Sequence, residues 1–515
     1  MRCRPLKLRT GLATAGILLA VPAWANDPRS AIPWLSESVS ETGAVPEQSG
    51  NSAFGVEEVT TTVLSNAAYS TAGILSPQDT GFNADIWGPT DAATALTLVR
   101  EHGGRGVPET IRLFKRILLA ATPTPGSTED GRDIFVARLD RLLELGALEE
   151  TEALIGMTGA EDPAIFRRWF DVGLLSNHAD APCRELRRKP TLSPTLPARI
   201  FCLARGGDWG AAEITLTMGQ EVDAFDPAQH ALLARFLDPE LFEEEPAPEA
   251  PDPLTPLDFL MREAVGLPRP AARLPLAFLH FDLDEHAPLR IRAEAAERLV
   301  LATTVSPEVL FEAYRSAKPA ASGGIWDRVA ATQDLDAALA DSDQADLPDA
   351  ILAADEVFTE RGLRSAFAYA YGPQLSEIDR QSLPQDAQFA VLDLLLLAGE
   401  TDLTDIPADY PNKILVDLAN GQTPQHLTKD PVSTAVKNAF APTGDPSIRD
   451  VRLQRMLREK RQGEALFAAL DLLQGGTDLA PDSLRSALLL LRKAGQEETA
   501  RKIAIQTVLG SGRPD

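Results

Sequence analysis

Between Phe135 and Ile155 apolar residues recur every three or four positions. Phe135, Leu139 and Leu142 share one face, and Leu148, Thr151 and Ile155 share a second. That spacing predicts two helices joined by a tight turn at Gly146, and much of the chain repeats the theme. Upstream, Thr90 is placed to cap a helix running to about Glu101, which Gly103 and Gly104 stop. Pro108 suits the first turn of the next helix, where Ile111, Phe114 and Leu118 line one side. Downstream, 163–175, 289–302, and the run Leu347, Ile351, Ala354 and Phe358 read as further amphipathic helices. Residues 389–398 are apolar nearly all round, which predicts a helix buried at the centre.

Two other segments have the form of the first hairpin. In Leu196–Leu216 the turn falls at Gly207 with Ala212 five positions later, and near the end Gly495 precedes Ala500 by the same step. Glycine allows the backbone to turn through positive φ, and a small inward side chain lets two helices approach closely. Turn glycine and small inner residue together resemble the tetratricopeptide repeat, over single hairpins and with Thr151 where that family has alanine. The 35-residue step from Ala465 to Ala500 is close to that repeat's period of roughly 34. The resemblance implies stacked hairpins with an extended protein-binding surface. The expected fold is all-α: an irregular TPR-like helical-hairpin solenoid behind a disordered N-terminal tail.

Other stretches break the helical pattern. Residues 26–80 read as an irregular tail, containing an apolar segment at 30–36 and one short β-favouring run from Val59 to Val63. Residues 238–256 hold six prolines and seven acidic residues with no basic one, which predicts an extended linker or exposed loop. Proline also interrupts 401–450, expected to be irregular. The organisation expected is a leader at 1–25, the tail to 80, a helical-repeat domain at 81–237, the acidic linker, a middle helical domain at 257–400, the irregular segment to 450, and closing hairpins at 451–515.

Charge and cysteine usage narrow the setting. Arg2, Arg4, Lys7 and Arg9 precede a short apolar run, and Ala23-Trp24-Ala25 forms a small-x-small site, the order of a secretory signal cleaved after Ala25. This leader implies a periplasmic or secreted protein. The formal net charge is −26, and removing the basic leader makes the chain more acidic still. Nucleic acid and anionic membrane surfaces are therefore poor partners. No later run is long enough for a membrane helix. Cys183 and Cys202 are the cysteines left after cleavage, and in an oxidising compartment they are expected to pair.

Motifs for catalysis or cofactor binding are missing: there is no G-x-S-x-G, H-E-x-x-H, P-loop or G-x-G-x-x-G after a strand. Two clusters have metal-ligand residue types. His280, Asp282, Asp284 and His286 could converge on a cation, and Asp341, Asp343 and Asp346 hint at calcium. The first matches no known ligand spacing, and the second lacks the EF-hand glycine and closing glutamate, so both read as solvated loops. No cofactor is expected. The reading is an exported, non-enzymatic helical-repeat scaffold in envelope biogenesis or a surface machine such as the flagellar motor. Its expected partner is a protein or peptide, held in the groove of the hairpins rather than by the acidic linker. The alternative is a cell-wall-active enzyme built on a superhelix like that of the lytic transglycosylases, which would need a cleft with a buried carboxyl of raised pKa.

Overall fold

The structure, a computed structural model, describes residues 69–510 apart from 243–244, 271–272, 317, 320–322, 342, 402, 427 and 442–450. The leader, the apolar segment at 30–36 and the short run at 59–63 lie outside the described residues. Within the described residues the chain is all-α. The helices are α1 (Pro77–Thr80), α2 (Ala92–Glu101), α3 (Pro108–Leu119), α4 (Thr128–Glu144), α5 (Leu148–Gly156), α6 (Pro163–Leu175), α7 (Asp180–Arg188) and α8 (Leu196–Arg205). They continue with α9 (Trp209–Glu221), α10 (Pro227–Leu237), α11 (Pro256–Ala264), α12 (Leu289–Leu301), α13 (Pro307–Arg315), α14 (Ile325–Ala340), α15 (Leu347–Glu360) and α16 (Arg364–Glu377). The last are α17 (Gln385–Ala398), α18 (Lys413–Ala419), α19 (Pro431–Phe440), α20 (Val451–Arg458), α21 (Gln462–Leu472), α22 (Pro481–Lys493) and α23 (Glu497–Gly510).

Local chemistry sets the hairpins. Ser127 and Asp130 form a reciprocal capping box at the start of α4. Gly146, at φ +78°, turns the chain into α5, and Gly207 and Gly495 do the same at +84° and +83°. The small residues that follow, Thr151, Ala212 and Ala500, are all fully buried where the two helices of each hairpin touch. The cap of α2 differs from expectation. Asp91 accepts the Thr94 amide, while the Thr90 hydroxyl donates to Glu464 at 2.8 Å, across the fold.

That bond belongs to a contact beyond the neighbour-to-neighbour packing of hairpins: the chain closes on itself. The final helix, α23, packs on α3, α16, α17, α18 and α19 as well as on its hairpin partner α22, and α21 packs on α2. Phe467 stacks on Trp87 and meets Phe114 edge-on. Glutamine side chains seal the joint. Gln462 accepts from the Asn83 amide, Gln506 accepts from the Glu109 amide, and Gln496 donates to the Gly81 carbonyl. One continuous apolar core therefore runs from Tyr69 to Leu509, with α17 at its centre as the all-apolar run 389–398 predicts.

Three boundaries differ from the sequence reading. Residues 69–80 belong to the core rather than to a tail. The Tyr69 ring packs on Phe135, and buried Arg138 donates to the Ala72, Leu118 and Ala120 carbonyls, tying this segment to the end of α3. The segment 401–450 carries α18 and α19, because Pro431 opens a helix that Asp430 caps instead of breaking one. The acidic stretch 238–256 is not a boundary between domains. Leu232 and Leu233 before it and Leu257 and Met261 after it share one core. The stretch itself is strapped to that core from both sides: Arg235 donates to the Phe242 and Glu245 carbonyls, and Arg262 donates to that of Pro248.

Helices α6 to α11 form a lobe around that second, smaller core. Cys183 on α7 and Cys202 on α8 are disulfide-bonded within it. Lobe and body meet through a seam of Leu143, Leu148, Val172, Leu175, Phe259 and Phe278.

Candidate functional site

A cavity of about 950 Å³ opens where α3, the α12–α13 turn, α16, the end of α17, α18 and α23 come together. It depends on the closure, since α3 and α23 pack on each other and both contribute to its lining. Its floor is apolar, with Val300, Leu397 and Ile505, and Tyr369 presents an exposed ring to it. Its charges are internally balanced. Lys115 pairs with Glu150 at 2.5 Å, Arg501 with Glu497 at 2.8 Å and Lys502 with Glu498 at 2.7 Å, and Glu109 lies 3.5 Å from both Arg112 and Arg116. Lys115 also donates to the Thr303 carbonyl, which ties α3 to the α12–α13 turn. The hydrogen bond from Lys502 holds the Glu498 carboxyl below its ordinary range.

A second cavity, about 760 Å³, contains the sequence-predicted cluster His280, Asp282, Asp284 and His286 in its lining. The four do not converge. His280 sits in a 3-10 helix, Leu276–Leu283, and its Nε2 meets the Gly146 carbonyl at 2.7 Å. Burial pushes its pKa down, so the ring is neutral and Nε2–H is the donor to that carbonyl. Asp282 is taken by Arg269, which also binds Glu263. His286 and Asp284 bond to each other at the surface. The second cluster is likewise local: Asp341 accepts the Asp343 amide, and Asp346 stands just before α15. Among the described residues no group of three or more His, Cys, Asp or Glu side chains is placed to hold a metal ion.

A third cavity, about 550 Å³, draws its lining from α12, the start of α14 and the end of α15. Its buried anchor is Glu297, which accepts from the Tyr314 hydroxyl at 2.8 Å, from Arg328 at 2.6 and 2.8 Å, and from Arg361 at 2.8 Å. Sequence reasoning missed this site. Arg290 and Arg298 share α12, but Arg328 and Arg361 come from α14 and the end of α15, so no single stretch of sequence shows the whole set.

Sequence reasoning also missed an outer surface. On α9 the residues Ala212, Leu216 and Gly219 face the lobe core. The opposite side carries Ile214, Met218 and, at the helix end, Val222, which are 61%, 66% and 73% exposed. Trp209 opens the same helix and is half exposed. The signal was present as an apolar i, i+4, i+8 row, but such a row reads as core until the opposite face is seen to be buried as well.

Burial does raise two carboxyls. Asp171 is pushed up to about 6 and Asp258 is also raised, each held beside arginines or a cap in the lobe. Neither lines any of these three cavities. Among the described residues no helix is long and apolar enough to cross a membrane. No protein-family model, curated protein or solved structure matches the chain.

Proposed function

We propose that the chain is an exported, non-enzymatic helical scaffold that binds a protein or peptide partner in the cell envelope, and that its docking face is the outer side of α9. The observation that carries this reading is the row Ile214, Met218 and Val222, apolar and exposed on a helix whose other side is already buried. Exposed aliphatic rows of this kind mark surfaces that a partner covers. The α7–α8 disulfide supports it, since a covalently fixed hairpin presents α9 at little ordering cost on binding. The leader and the paired cysteines support export.

The test is capture from an envelope fraction, with the wild-type chain and the Ile214→Glu/Met218→Glu variant side by side. Both positions are exposed, so the unfolding free energy should change by no more than about 0.5 kcal/mol. The proteins retained by the wild type should be lost by the variant. Equal retention by both would overturn the assignment of α9.

A further inference from the structure

The third cavity carries an excess of cationic side chains, whereas the first is balanced and the second is rich in carboxylates. Four guanidinium groups line it, from Arg290, Arg298, Arg328 and Arg361, against two carboxylates, Glu294 and Glu297. Glu294 is taken by Arg290, and Glu297 is saturated by Arg328, Arg361 and Tyr314. Arg298 is left with a backbone partner, donating to the Leu274 carbonyl at 2.6 Å, while its Nε is buried without a hydrogen-bond acceptor. The carboxylate that acts on it, Asp282, is already bound by Arg269, and Arg273 and Arg361 add like charge beside it. Burial and those neighbours push the Arg298 pKa down to about 10, so its charge is held against its surroundings. In a chain of net charge −26, an excess of cation concentrated at one pocket is the exception.

The arrangement has a floor and a mouth. Glu297 and Arg328 form the floor, at 2% and 11% side-chain exposure, and Arg361 at 36% and Arg290 at 69% stand progressively further out. Trp326 and Ile325 supply an apolar wall. The N-terminus of α14 does not make the site, because the Asp327 carboxylate accepts the Gly323 amide there. The side chains make it. Guanidinium groups present forked donors that match the paired oxygens of a carboxylate or phosphate.

We infer that this pocket binds a small oxyanion, a phosphate or carboxylate group, through Arg298 and Arg361, with Glu297 holding Arg328 and Arg361 in place. An anion there gives the Arg298 guanidinium, which has a backbone carbonyl partner but no carboxylate of its own, a charged partner and offsets the excess charge. The site is separate from the α9 surface, so each proposal stands without the other.

The test is isothermal titration of the full chain with inorganic phosphate and, separately, with succinate, at fixed ionic strength in chloride. Saturable one-site binding of either probe is expected, and whichever binds identifies the oxyanion class. In Arg298→Met, which keeps much of the side-chain volume but removes charge and donors, affinity should fall about tenfold or more. Arg298→Lys should recover part of that loss. If Arg298→Met does not fold, as judged by circular dichroism in chloride, Arg361→Met at the mouth is read in the same way. Absence of saturable binding by both probes overturns the inference, as does binding that these variants leave unchanged.

Discussion

The body closed by α23 and the lobe of α6 to α11 are built from the same kind of hairpin, yet they are held in different ways. The body has a core running nearly the whole length of the described chain, and its first helices are locked by its last through Phe467, Trp87 and Phe114. No covalent link is needed where so much apolar surface is shared. The lobe has a much smaller core, a disulfide between α7 and α8, and a helix, α9, left apolar on its outer side. A small core supplies less burial for each ordered residue, so a cross-link that limits the unfolded chain has more to contribute there. The body turns its apolar faces on itself, whereas the lobe offers one outward.

The contrast breaks most sharply at the clasp. Phe467→Ala removes a buried ring that touches the N-terminal helices, and a loss of about 3–5 kcal/mol is expected. Denaturant unfolding checks it, and hydrogen exchange should show α2, α3 and α21 losing protection together. A change confined to α21 would mean that the closure is not cooperative. A somewhat smaller loss, about 3 kcal/mol, is expected from Cys183→Ser/Cys202→Ser, from the entropy of the loop the bond closes. Here the gain in exchange should be confined to the lobe, with α2 and α23 unchanged. If both regions loosen alike, the lobe is not a separate unit.

The smallest effect tests the seam. The folded pKa of His280 is depressed by burial below the usual 6.5. Between those values the unfolded chain binds a proton that the folded chain does not, so stability from this site is present above about 6.5 and is lost as pH falls. His286, exposed and paired with Asp284, is shifted the other way, so the wild type must be compared with His280→Phe. The difference in melting temperature between the two should change from pH 7.5 to pH 5.5 in favour of the variant. A constant difference would remove His280 from the pH response.

What could be read in the sequence was what is local. The turn at Gly146, the buried positions Thr151, Ala212 and Ala500, and the all-apolar α17 each follow from a spacing of a few residues. Closure was not legible, because its polar members, Gln462, Gln496, Gln506 and Thr90, are residue types that ordinarily face water. Their burial depends on partners from the far end of the chain. The acidic strap misled for a related reason: its composition describes the stretch itself, while what fixes it are carbonyl acceptors for Arg235 and Arg262 on either side. The arginine pocket draws on three helices, and nothing in any one of them marks it.

The clasp also imposes an order of events on biosynthesis. Thr90 and Glu464 are separated by 374 residues, and Gln496 and Gly81 by 415. At elongation rates of about 5–20 residues per second, the helices near the start emerge roughly 20 to 80 s before the segments that cover them. Throughout that interval Trp87 and the faces of α2 and α3 that await α21 and α23 lack their final cover. The nascent chain thus has a built-in waiting period, during which native contacts from the C-terminal helices cannot yet cover those apolar faces.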